Sequence, residues 1–66
     1  MKNRIRVARA EVRMTQQQLA DATGVSRQTI NAIESGKFVP STLLALKIAA
    51  TFGLSVEDIF SLEDGD

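Results

Sequence analysis

Apolar positions recur along this chain as short helical stripes broken by single punctuating residues, most clearly between Met14 and Gly36. Thr15 followed by Gln18 has capping-box spacing, and Met14 and Leu19 flank it at the spacing of a hydrophobic staple, so a helix is expected to start there. Gly24 falls where that helix needs a left-handed residue to stop. Ser26 caps the next helix, with Val25 and Ile30 as its staple, and Gly36 ends it in turn. Only Val25 separates Gly24 from the next cap, so a sharply crossed helix pair is predicted rather than an antiparallel one. Leu19 reads as core, and Ala20 as the small residue that lets the two helices approach.

Upstream, Ile5, Ala8 and Val12 mark one stripe of a first helix. Arg9 lies within it, and Glu34 lies about 40° from the buried centre of its own helix. Charges in such places are expensive unless paired, so Arg9 and Glu34 are expected to form a partly buried ion pair; two separate solvated charges are the alternative.

Downstream, Lys37 and Phe38 open a loop that ends at Pro40. Ser41 or Thr42 caps a fourth helix that runs to Phe52 and stops at Gly53. Thr42, Ala45, Leu46, Ala49 and Phe52 are expected to close the core, which turns Leu43, Leu44 and Thr51 outward. A helix apolar nearly all round is usually covered on more than one side, so these three are expected in a homodimer interface; scattered surface leucines are the alternative. Ser55 with Asp58, and Leu54 with Ile59, repeat the box and staple for a fifth helix. The residues after Ile59 read as a short extended segment, and Glu63 to Asp66 are expected to fray.

The outward face of the third helix suggests chemistry. Ile30, Ile33 and Ser26 share one side, with Thr29 at its edge; Gln28, Asn31, Ala32 and Ser35 lie opposite, and Arg27 projects from the first turn. Arginine can bond guanine O6 and N7 together, glutamine and asparagine can do the same for adenine, and alanine can touch a thymine methyl. Arg27, Gln28, Asn31 and Ala32 are therefore candidate base contacts in a DNA major groove. Gln16 and Gln17 open the second helix, where backbone N–H groups attract phosphate. Ser26, Ser35 and Lys37 complete a set of candidate phosphate contacts, which position a protein without reading sequence. Phe38 suits either a wedge against DNA sugars or an anchor for its loop.

Net charge is zero, but it is unevenly distributed. Residues 1–47 hold all eight basic residues and three acidic ones, whereas residues 48–66 hold five acidic residues and no basic one. A basic body with an acidic tail suits a protein that meets nucleic acid on one side. Sixty-six residues make one small domain, near the size where a second copy is a natural source of buried surface. There is no cysteine and no histidine, so disulfides are excluded and no metal site or cofactor is expected. No apolar run reaches the ~20 residues of a membrane span, and no secretory leader is visible, so the cytoplasm is the expected compartment. Without histidine, cysteine or a glycine-rich phosphate loop, an enzyme is the weakest reading.

The motifs T-Q-Q-Q-L-A, G-V-S-R-Q-T-I, I-E-S-G-K, P-S, L-A-L-K-I-A and D-I-F also carry a resemblance. Over residues 3 to 60, in register and without gaps, the chain resembles the Cro/CI-type (XRE family) helix-turn-helix repressors. It is most similar to the minimal cytolysin-repressor-like regulators, which the resemblance implies are homodimers. The implied fold is all-α, a five-helix lambda-repressor-like DNA-binding domain spanning 1–66, with the helix-turn-helix at 15–36. The minimal repressors suggest a short strand pair between residues 1–4 and Phe60 to Leu62, with Phe60 and Leu62 beside Leu43, Leu44 and Thr51 at the dimer contact. The resemblance also implies the Arg9–Glu34 pair and a backbone contact from Gln16. Arg13 departs from the pattern, which often has glycine before Met14. The expected function is sequence-specific binding of double-stranded DNA, as a repressor on a near-palindromic operator with no small-molecule ligand. An antitoxin-like or adaptor protein-interaction module on the same fold is the alternative.

Overall fold

Residues 1–66 are described by a computed structural model. In chain order the elements are β1 (Lys2–Asn3), α1 (Ile5–Glu11), α2 (Gln16–Thr23), α3 (Arg27–Glu34), α4 (Thr42–Phe52), α5 (Val56–Ile59) and β2 (Phe60–Ser61). Five helices enclose one core in which Ile5, Leu19, Ile30, Ile33, Ile48 and Ile59 are fully buried. The two strands pair antiparallel with Lys2 opposite Ser61 and Asn3 opposite Phe60, and the Arg4 amide donates to the Ile59 carbonyl at 2.8 Å. This is the lambda-repressor-like five-helix fold with a short antiparallel strand pair joining its two termini.

The helix starts follow local chemistry. Thr15 Oγ1 accepts from the Gln18 amide at 3.0 Å while Gln18 Oε1 accepts from the Thr15 amide at 2.8 Å, a complete capping box. Ser26 accepts from the Thr29 amide at 3.1 Å, and Ser41, not Thr42, caps α4 through the Leu44 amide at 3.2 Å. At α5, the Asp58 carboxylate accepts from the Ser55 amide at 2.9 Å, and that bond holds the Asp58 carboxyl below its usual value.

The helix ends share one device. At α2, α3 and α4 the residue after the last helical turn has a left-handed backbone, and in each case it is glycine: Gly24, Gly36 and Gly53. At α1 that place is taken by Arg13, with φ 55°. The Met14 amide donates to the Arg9 carbonyl at 2.9 Å and the Arg13 amide to the Ala10 carbonyl at 3.2 Å, the bond pair of a Schellman motif. The first helix therefore stops at Glu11. Val12, expected in the core stripe, is 55% exposed because the chain has already turned away. A Cβ added at Gly24 would meet nothing within 4 Å, so replacing it tests backbone strain alone. Gly24→Ala is expected to cost about 1 kcal/mol in urea unfolding: left-handed strain of about 1–2 kcal/mol, less the entropy that alanine removes from the unfolded chain.

One further expectation is corrected. On α4 the buried face is Leu44, Ala45, Ile48 and Ala49, with Phe52 packed against it, whereas Leu43 and Leu46 are 64% and 53% exposed. The core stripe lies one residue round from the expected one, so Leu44 belongs inside the protomer and Leu46 and Thr42 face out. At the chain end Glu63 and Asp66 close a turn, and their carboxylates lie 2.8 and 3.0 Å from the Met1 amino group. No buried polar side-chain atom lacks a partner, and no helix is long and apolar enough to cross a membrane.

Candidate nucleic-acid interface

The tight turn at Gly24–Val25 sets α2 and α3 across each other, and the Val25 amide locks it by donating to the Ala20 carbonyl at 3.1 Å. Ala20 is fully buried beneath this crossing. Ile30 and Ile33 hold α3 to the core, which leaves Arg27, Gln28 and Asn31 exposed and Ala32 half-buried. Neither Arg27 nor Lys37 has a carboxylate within salt-bridge distance, so both cations are unneutralised by the protein.

The proposed phosphate set is not uniform. Gln16 leans across the motif and its Nε2 lies 3.4 Å from Asn31 Oδ1, joining the head of α2 to the polar edge of α3. Gln17 instead donates along its own helix to Asp21 at 2.9 Å. The Ser26 hydroxyl serves as the cap of α3 and pairs with Thr29 Oγ1 at 3.0 Å. The Ser35 hydroxyl donates back to the Ala32 carbonyl at 3.1 Å. Lys37 alone of the five has no internal partner for its side chain and is exposed.

Behind the polar edge, α3 is anchored at its C-terminal end. Arg9 Nε and Nη2 donate to the two oxygens of Glu34 at 2.8 and 3.0 Å, while Nη1 donates to the Met14 carbonyl at 2.9 Å. One guanidinium thus joins α1, the turn before α2, and α3. The Glu34 side chain is 1% exposed and that of Arg9 15%. Arg6, on the surface, reaches Glu34 at 3.7 Å. Sequence reasoning missed Asn3, whose Nδ2 donates to the Ile33 carbonyl at 2.9 Å and whose Oδ1 accepts from the Ile5 amide at 3.3 Å. An asparagine readily bonds the backbone amide two residues on, as an Asx turn, and that tendency just before a helix could have flagged it.

Of the residues expected at a dimer contact, Leu43 and Leu62 are exposed, at 64% and 78%, whereas Leu44 and Phe60 lie in the protomer's own core at 9% and 6%. Thr51 is half-buried and its hydroxyl donates to the Lys47 carbonyl at 2.8 Å. Leu46, which sequence reasoning placed inside, instead lines an open apolar groove with Met1, Val39, Pro40, Val56 and Phe60.

Comparison with known proteins agrees with this geometry. A helix-turn-helix family, HTH_3, matches residues 5–59. The chain is 54% identical over 66 residues to the uncharacterized HTH-type transcriptional regulator MJ0272 of Methanocaldococcus jannaschii, covering 100% of both chains. It is 48% identical over 64 residues to the uncharacterized HTH-type transcriptional regulator YgzD of Bacillus subtilis, covering 97% of each. Among solved structures, the clp gene regulator ClgR from Corynebacterium glutamicum superposes with a TM-score of 0.77 at 31% identity, covering 82% of this chain and 57% of that one. A polar, uncovered recognition helix set on a crossed partner, together with these relatives, identifies the chain as a member of the HTH_3 helix-turn-helix family, a DNA-binding transcriptional regulator of the XRE, Cro/CI-like type.

Proposed function

We propose that the protein is a cytoplasmic repressor that binds a near-palindromic operator as a homodimer, in the manner of the minimal cytolysin-repressor-like regulators. Each protomer lays α3 in the major groove, with half-sites one helical turn apart, ~34 Å. The observation that carries this reading is the free edge of α3: Arg27, Gln28 and Asn31 are exposed together, with no carboxylate facing Arg27. Arg27, Gln28, Asn31 and Ala32 read bases. Gln16, with Lys37 as its free cation, holds the phosphate backbone, and Gln17, Ser26 and Ser35 contribute there only where their internal bonds can be shared. Repression follows from occluding polymerase.

The outward face of α4 supports the dimer. Leu43, Leu46 and Ala50 are all exposed on that helix at i, i+3 and i+7, which puts them on one stripe. Leu46 continues the stripe into the groove formed by Val39, Val56 and Phe60. Leu46 with Leu43 forms the centre of the contact, and Leu44 stays in the protomer's own core.

Selection of bound sequences from a random duplex pool, followed by titration of variants, tests the reading. Gln28→Ala should relax preference at one base pair per half-site by about 1–3 kcal/mol, while Lys37→Ala should weaken all sequences alike and reduce the salt slope by about one. Equal loss on every sequence for Gln28→Ala removes base reading from that residue. A chain showing no salt-dependent, sequence-selective binding is instead the adaptor or antitoxin-like module.

A further inference from the structure

Beside the base-reading edge lies an open notch lined by Ser26, Gln28, Thr29, Ala32 and Phe38. We propose that Phe38, Thr29 and Ala32 form a receptor for the 5-methyl group of one thymine per half-site, at or next to the base pair read by Gln28. This rests on the DNA-binding reading above.

Phe38 is one of three aromatic residues in the chain, yet it is 50% exposed. Its ring is not on a free loop. The Ala32 carbonyl accepts from both the Lys37 amide at 2.9 Å and the Phe38 amide at 3.2 Å, so the recognition helix itself positions the residue. Ala32 supplies only a methyl to the notch. The Thr29 hydroxyl is paired with Ser26 at 3.0 Å, which leaves its own methyl as the free end of that side chain. Two methyls and a ring make an apolar recess on a face otherwise built of amides, hydroxyls and cations. Thymine is the one DNA base that displays a methyl group in the major groove, and alanine, threonine and phenylalanine are the side chains that complement it. Gln28 borders both the recess and the polar edge, which places the methyl beside the adenine that its amide would bond.

The test uses the full chain and the operator obtained by selection from a random pool. Each thymine is replaced in turn by deoxyuridine, which removes the methyl and leaves every hydrogen-bonding group in place. The expected result is a roughly three- to fivefold loss of affinity per half-site at one symmetry-related pair of positions, the factor that one buried methyl gives, and little change elsewhere. Phe38→Ala, whose fold is checked by its thermal midpoint, should lose most of the difference between the thymine and deoxyuridine operators, the Thr29 and Ala32 methyls alone leaving the recess open. A wild-type chain indifferent to every deoxyuridine, an operator with no thymine at or beside the Gln28 position, or a Phe38→Ala variant that keeps the full penalty each overturns the receptor alone. A chain that selects no duplex overturns the DNA-binding reading as well.

Discussion

Arg9→Ala is expected to lower the free energy of unfolding by about 3–5 kcal/mol, the usual cost of stripping one partner from a buried ion pair. In a domain this small, each kcal/mol moves the thermal midpoint by about 4–8 °C, so even the lower figure is a loss of ~12 °C or more. The size follows from the environment. The Glu34 side chain is 1% exposed, and Arg9 gives its two oxygens bonds of 2.8 and 3.0 Å. Without them the carboxylate keeps only Arg6, an exposed side chain at 3.7 Å, and the Met14 carbonyl loses its partner too. Arg6 pulls the outcome toward the lower end. The attraction within the pair is largely offset by the cost of drying both charges, so replacing both partners is a different experiment. Arg9→Met combined with Glu34→Leu should recover most of the loss, and its recovery in thermal or urea unfolding separates an orphaned charge from lost packing. An Arg9→Ala midpoint within 2–3 °C of the parent, roughly half a kcal/mol, contradicts this account of how α1 holds α3.

That pair was legible in the sequence because it violated a pattern: a charge inside an apolar stripe needs a partner, Glu34 lay about 40° from the buried centre of its own helix, and the family resemblance implied the same pairing. The caps at Thr15, Ser26 and Ser55 were legible for a similar reason, since box and staple spacings are local. The face of α4 was not. Eight of its eleven residues are apolar, so periodicity offers several stripes of nearly equal merit, and packing against α2 and α5 chose the one through Leu44 and Ile48. Val12 failed differently: Arg13 takes a left-handed backbone where glycine serves the other helices, and the helix ends a residue before Val12. In the candidate interface, exposure of Arg27, Gln28 and Asn31 followed from the anchoring of Ile30 and Ile33. The internal bonds of Ser35 and Gln17 and the pairing of the Ser26 and Thr29 hydroxyls did not, because each depends on a rotamer that residue spacing leaves open.

For the proposed homodimer, Leu46→Glu is expected to leave a monomer and to weaken operator binding by about 10²–10⁴-fold, the range by which linking two sites raises avidity. A homodimer on a near-palindrome binds its second half-site intramolecularly, and a monomer must bind each from solution. Leu46 is the side chain to change because it is 53% exposed and belongs both to the outward stripe of α4 and to the groove with Val39 and Val56. A carboxylate there costs the isolated protomer little, yet two of them brought together across a two-fold axis face each other in a drying contact. Leu44→Glu would be a poor substitute, since Leu44 is 9% exposed and its loss opens the core. Sedimentation gives the mass, and titration against full-site and half-site duplexes gives the binding. Leu46→Glu should bind the half-site as the parent protomer does and gain almost nothing from the second half-site. Leu43→Glu, at the other edge of the same stripe, should have a smaller effect in the same direction. If Leu46→Glu stays dimeric and binds the full operator at parental strength, the outward face of α4 is not the contact. In that case the geometry that sets the half-site spacing must come from another surface of the chain.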